Sequence, residues 1–437
     1  MARLSGPWQT RVSFAPGGGF GYRPGEVLVR RDDFKEAEAV LIDLAGQGGL
    51  ARQERDSPDD YDTVGSFARF SGVPDTLDAV TKLNQAGIYA QVNHVLFAHG
   101  APDGGGFQAN PFYANPFYAN PFYANPFYAN PFYANPFYAN PFYANPFYAN
   151  PNPAADPSFQ ETGQRPSSAR PALEAKTLNP VTDPSPPVIA ILDTGYAAGQ
   201  VRDLVNPGNV EVPDLDRKGY LDPVAGHGTF IAGIIEQYVP GCKIEVHSVI
   251  SPYGDGDEVV IGRKLRELAR SNDRLDLVNL SFGGYSSSGM GVLAEAIAAL
   301  HYMGTVVVAS AGNDGTSLPM YPAVLPYVVA VGALDHEGAP APFTNYGPWV
   351  RACTLGVEVV STFFTNFNGS HPSQAGDDID EFCGWAAWSG TSFAAPRVVA
   401  ALAHHMRTTN TSAHEAVQQI IDAPNLERKA LLGTVVR

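Results

Sequence analysis

Residues 109–148 are eight uninterrupted copies of the pentapeptide ANPFY, and this tract constrains everything around it. A proline every fifth residue removes backbone donors too often for a sheet ladder and interrupts any helix within two turns. Solenoid repeats need longer periods, because each repeat has to be a supersecondary unit. No domain core therefore runs through the tract, and the 437 residues divide into a short part before it and a long part after it. Each copy has no charge and two aromatic rings. Two readings stand: an extended, turn-rich spacer, or an adhesive tract whose Phe and Tyr rings contact each other, the flanking domains or a partner.

Composition separates four zones: a tail over 1–24, a small α/β unit over 25–100, a disordered low-complexity linker over 101–186 that holds the repeats, and a large unit over 187–437. In the first unit, EVLVR, FARFSG and AQVNHVLFA read as strands, with helices over DFKEAEAVLIDL and DTLDAVTKLNQA. The second helix is signalled by Pro74 and Asp75 at its start, by Leu77, Val80 and Leu83 on one face, and by Gly87 at its end. A further strand is expected near Arg52 to Arg55. In the large unit VIAIL, KIEVHSV, LDLVNLS, TVVVAS and YVVAVGA alternate with helices around Gly226 to Gln237, Glu258 to Ser271 and Val292 to Met303. Apolar strands alternating with helices imply a mainly parallel sheet covered on both faces. Function in such a sheet belongs at the strand carboxyl ends.

A net charge of −16 and a pI near 5.0 exclude a general nucleic-acid or anionic-membrane binder, since both need clustered Lys and Arg. Neither a secretory leader nor a run of about 18 apolar residues is seen, so the expected location is cytoplasmic and no membrane is implied. Cys242, Cys353 and Cys383 are too few for a disulfide framework. Three free thiols are expected in preference to a Cys353–Cys383 bridge.

Three polar residues stand where strands end or helices begin. Asp193 closes VIAILD. His227 lies between Gly226 and Gly228, which let backbone approach closely, at the head of a helix with Ile231, Ile234 and Ile235 on its apolar face. Ser392 follows a small-residue turn and opens a long apolar helix. Taken singly, each has an ordinary structural explanation: a turn carboxylate, a hydrogen-bonded imidazole, a helix cap. Together they supply a nucleophile, a base for its proton and a carboxylate to orient that base. Asn313, after the strand TVVVAS, adds a side-chain amide able to donate to an oxyanion.

DTG, HGTxxAG, SAGN and GTSxAxP, beginning with Asp193 and ending with Ser392, resemble the four signature blocks of the subtilisin-like serine peptidases, in that family's order. The resemblance implies a subtilisin-like three-layer catalytic domain in which Asp193 orients His227, His227 is general base and then acid, Ser392 is the nucleophile, and Asn313 shares the oxyanion with the Ser392 N–H. It makes Ser281, Phe282 and Gly283 of NLSFGG the strand that pairs with substrate, and Ala311 and Gly312 the lining of the pocket for the side chain before the cut. It further implies a serine endopeptidase acting on protein or peptide through an acyl-enzyme, made as a zymogen. The unit over 25–100 would be a ferredoxin-like propeptide, the protein's own partner, with a first cut within Phe97 to Gly100; an unrelated α/β module is the other reading. Calcium is common in the family, but Asp255 to Glu258 have no recognised loop spacing, so no metal or other cofactor is assigned. Thr362 to Trp388 read as a loop near the cleft that narrows substrate choice, or equally as a plain surface insertion. The competing function, from another class, is a latent peptidase acting as a binding or assembly protein that self-associates through its ANPFY repeats.

Overall fold

A computed structural model of the chain describes residues 12–16, 20–45, 63–98, 152–153, 186–206, 208–215, 217, 221–271, 273–368 and 381–437. The ANPFY tract and the strand expected near Arg52 to Arg55 lie outside the described residues.

The N-terminal part runs β1 (Ser13–Phe14), β2 (Gly21–Arg30), α1 (Phe34–Ala45), β3 (Thr63–Val64), β4 (Phe67–Ser71), α2 (Thr76–Gln85) and β5 (Ala90–Ala98). Its antiparallel strands are ordered β5-β2-β4-β3. A βαββαβ chain in that order is the ferredoxin-like arrangement. The sheet begins earlier than composition suggested, since β1 and the start of β2 fall within residues 1–24, the zone assigned to a tail. The fourth strand is the two-residue β3, too short to show periodicity.

Helix α1 buries Phe34, Ala37 and Leu41, three and four residues apart, as an amphipathic helix should. Helix α2 is capped by the Asp75 carboxylate, which accepts from the Asp78 N–H at 3.0 Å. It buries Thr76, Ala79 and Leu83, so its inner face is turned by one residue from the one expected. Both helices pack on Val27, Val29, Ala68, Phe70 and Ala90 of the sheet, a core belonging to this part alone.

After β6 (Asn152–Pro153), the large part begins with β7 (Val188–Asp193), α3 (His227–Tyr238), β8 (Lys243–Ser248), β9 (Asp255–Asp257) and α4 (Glu258–Arg270). It continues through β10 (Leu277–Leu280), β11 (Phe282–Gly283), α5 (Gly291–Tyr302), β12 (Val306–Ser310), β13 (Val328–Leu334) and β14 (Ala352–Leu355). It ends with β15 (Val359–Asn368), β16 (Glu381–Trp388), α6 (Thr391–Thr409), β17 (Arg428–Lys429) and β18 (Gly433–Val435).

The main sheet is ordered β17-β18-β14-β13-β12-β10-β7-β8, and every pair is parallel except β17 with β18. All residues of β7, β10, β12 and β13 are buried, which is why their sequences are apolar apart from Asn279 within β10 and the strand-end Asp193 and Ser310. Two helix pairs cover this sheet, α3 against α6 and α4 against α5, giving three layers around one core.

The stretch Thr362 to Trp388 is not a loop in its described residues. Strands β15 and β16 pair from Val359↔Trp388 to Asn368↔Glu381 as an antiparallel hairpin packed on α3, and β6 pairs with β16. Phe363, Phe364, Phe382 and Trp388 turn inward and are buried. Cys353 is a buried thiol without a disulfide, and burial pushes its pKa up to about 12.

The two parts share a sheet and a small core. Strand β5 lies between β11 and β9, antiparallel to both. Leu28, Val64 and Phe67 form a buried cluster with Val259 and Val292, so the N-terminal part docks on the first turns of α4 and α5. Arg30 bonds Ser66 and Glu295 beside this cluster.

Candidate active site

Asp193 is the last residue of β7, and His227 is the first of α3. Their side chains meet at 2.8 Å, Nδ1 of the imidazole on Oδ1 of the carboxylate, with both residues at 0% exposure. The same Oδ1 accepts from the Thr194 N–H at 2.8 Å. Trp388 and Phe393 pack their rings around the imidazole, with centroids 5.4 and 5.3 Å away. This dry aromatic wall fixes the ring plane.

Close packing around His227 depends on two glycines. Gly226 has φ +85°, a conformation side chains disfavour, and a Cβ there would stand 2.3 Å from the Phe363 ring. A Cβ on Gly228 would stand 2.2 Å from the Gly195 carbonyl oxygen. Behind this turn, Glu211 Oε2 accepts from the Gly226 N–H at 2.9 Å, and its Oε1 is buried with no hydrogen-bond partner. Burial pushes the Glu211 pKa up to about 8, against smaller downward pulls from the Thr194 side chain and the Gly226 N–H. Nothing in the string VEVPD signalled Glu211, because a burial-driven shift has no sequence pattern.

Ser392 is the second residue of α6, and a proline four residues later explains part of its setting. Pro396 has no N–H, so the helix cannot bond the Ser392 carbonyl. The Ser281 hydroxyl takes that place, donating to Ser392 O at 2.8 Å, while Ser392 Oγ lies 3.3 Å from Ser281 O. Asn279 Nδ2 in turn donates to Ser281 Oγ at 2.9 Å. The nucleophile candidate is thus held at main chain and side chain by the residue just before β11. Ser392 has 0% exposure, as has Ser281.

Asn313 lies in the turn after β12. Its Oδ1 accepts from the Thr391 N–H at 2.9 Å and the Thr391 hydroxyl at 2.8 Å. The amide orientation is therefore set, and Nδ2 is the end left to donate to a bound group. Thr391 also ties the Gly312 N–H at 3.1 Å, so one hydroxyl links the Asn313 turn to the head of α6. Sequence reading passed over this threonine, although it stands in the GTS string.

Ala311 is fully buried against Leu334, Val350, Cys353 and Leu432, so its methyl belongs to a core cluster. Gly312 has φ +107°, and a Cβ there would meet Asn345 Nδ2 at 2.3 Å. Phe282 and Gly283 form β11 and are paired with β5: Ala98 faces Phe282, and Phe97 faces Gly283. On the opposite edge Phe97, Leu96 and Val95 face Asp255, Gly256 and Asp257, and the Ala98 N–H reaches Gly254 O at 2.8 Å. An extended segment of the chain thus lies in a slot between two strand edges, pointing toward Ser392. His99 and Gly100 lie outside the described residues.

Among the described residues, no group of three or more His, Cys, Asp and Glu could hold a metal ion. No helix among them is long and apolar enough to cross a membrane.

A carboxylate on an imidazole, a serine at a helix head and an amide end turned away from its own hydrogen bonds are the groups that serine hydrolases use for acyl transfer. The family model of the subtilases, peptidase family S8, matches residues 185–426, and the chain belongs to this family. It is 31% identical over 257 residues to a thermophilic serine proteinase of Bacillus sp. (strain AK1), covering 54% of this chain and 56% of the relative. It is also 31% identical over 228 residues to subtilisin DY of Bacillus licheniformis, covering 49% of this chain and 74% of the relative. The chain thus spans little more than half the length of the first of these relatives. A solved structure of a cold adapted subtilisin-like serine proteinase aligns with TM-score 0.42 at 21% identity, over 58% of this chain and 87% of that one.

Proposed function

We propose that this subtilase is a serine endopeptidase made as a latent precursor, with Asp193, His227 and Ser392 as its triad and the N-terminal ferredoxin-like part as its propeptide. The observation that carries this reading is the seating of β5. Its last two residues pair with β11 as an added strand that runs up to Ser392, as an extended peptide substrate would. Family membership supports the same chemistry.

In this reading Ser392 Oγ attacks a peptide carbonyl while His227 Nε2 takes its proton, and Asp193 on Nδ1 stabilises the imidazolium that results. The Asn313 amide and the Ser392 N–H receive the charge that forms on the carbonyl oxygen. His227 then gives its proton to the leaving amine. Water repeats the sequence on the acyl-enzyme.

Latency follows from the same contacts. With 0% exposure at all three triad residues, the site has to be uncovered before another chain can enter it. Ala98 faces Phe282, one residue from Ser281 and its contact with Ser392, which supports a first cut just beyond β5; the cut proposed is between His99 and Gly100.

Two measurements test this. A fluorophosphonate should label the processed chain at Ser392 and leave Ser392→Ala unlabelled. Sequencing the new N-terminus should find Gly100 in the wild type and no cut in Ser392→Ala. Absence of labelling in the processed chain would refute the peptidase reading, and a first cut elsewhere would refute the register.

A further inference from the structure

Two side chains of β5 converge on one carboxylate of the peptidase part. Glu258, the first residue of α4, is fully buried. Its Oε1 accepts from the Val292 N–H in the first turn of α5 at 2.9 Å. Its Oε2 accepts from Gln91 Nε2 at 2.9 Å and from His94 Nδ1 at 2.9 Å. One oxygen therefore holds a helix of the peptidase part, and the other faces whatever occupies the slot.

A buried carboxylate that takes its hydrogen bonds from the slot side matches an occupant that donates with a positively charged group. His94, itself at 0% exposure, sits between this carboxylate at Nδ1 and Ser286 Oγ, 2.9 Å from Nε2. The neighbouring strand edge repeats the pattern, since Arg23 of β2 bonds Asp255 at 2.9 Å and Asp257 at 3.2 Å.

Register gives the position of this seat. Val95 faces Asp257, which brings His94 level with Glu258, five residues before residue 99. We infer that Glu258 is a specificity-determining residue, whose slot-facing oxygen selects substrate peptides with a cationic side chain at the sixth position before the cut bond. This rests on the peptidase reading above. A charge-assisted hydrogen bond to a buried carboxylate corresponds to a factor of about ten or more in binding.

The test uses the full chain after its own processing, with quenched fluorescent peptides identical except at the sixth residue before the cut. The Lys peptide should be cleaved with kcat/KM about tenfold above the Leu peptide, and the Glu peptide should be the poorest. Glu258→Gln, whose amide oxygen can still accept from Val292, should bring the Lys to Leu ratio to about one. Equal wild-type rates on Lys and Leu peptides overturn the inference, as does a ratio that Glu258→Gln leaves unchanged.

A second measurement needs no turnover. In full-length Ser392→Ala, hydrogen exchange at the amides of Val95 to Ala98 should be slower with His94→Lys than with His94→Leu; equal exchange overturns the inference. A processed chain that takes no fluorophosphonate refutes the peptidase reading, while the exchange comparison still decides whether Glu258 seats a cation.

Discussion

A buried carboxyl group with one oxygen on a backbone N–H and the other on nothing favours the protonated state, and Glu211 is such a group. Its pKa, raised to about 8 from the ordinary 4.5, means that the folded chain holds a proton that the unfolded chain releases. The stability linked to this proton is fully present below about pH 4.5 and is lost as pH rises through about 8. Urea unfolding of the Ser392→Ala chain at pH 5 and pH 8.5 should therefore show a loss of stability that Glu211→Gln reduces. Because Glu211 holds the Gly226 N–H beside His227, the alkaline limb of the peptidase pH profile should shift in the same variant.

Residues differ in how plainly the sequence announced them. Asp193, His227, Asn313 and Ser392 stand in short fixed strings because their backbone settings are demanding: a strand end, two close-packed glycines, a turn, a helix interrupted by Pro396. Glu258 stood in DGDE, an acidic run whose spacing matches no recognised metal loop. What makes it a receptor is a partner more than 160 positions away in the chain, which no local pattern encodes.

Among the elements, the parallel strands β7, β8, β10, β12 and β13 were legible to within a residue or two, since burial on both faces demands largely apolar runs; the short β14 and β18 were not. Nor was the hairpin of β15 and β16. Its inward phenylalanines are interleaved with Thr, Asn and Gly, and the mixture resembles a surface loop until α3 is placed beneath it. That packing gives the hairpin a role in holding His227, through the Phe363 ring against Gly226. Gly226→Ala should force the ring or the turn to move and impose a side chain at φ +85°. The expected result is a loss of peptidase activity of about a hundredfold with the chain still folded, checked by turnover alongside circular dichroism. Unchanged turnover would mean that the hairpin does not position the imidazole.

At the scale of the whole molecule, β5 belongs to two parts at once, as an edge strand of the ferredoxin-like sheet and as the filling between β9 and β11. Composition could place the two parts but not this sharing, because edge pairing depends on docking and not on periodicity. All of the strand's pairings with the slot involve residues 95–98, on the amino side of the proposed cut. Breaking the bond after His99 therefore removes none of them. The first turnover would yield a severed but occupied enzyme, and release would await destruction of the plug by molecules already open. Such a population behaves autocatalytically: activity should appear after a lag that shortens as protein concentration rises, and a trace of open enzyme added at the start should abolish the lag.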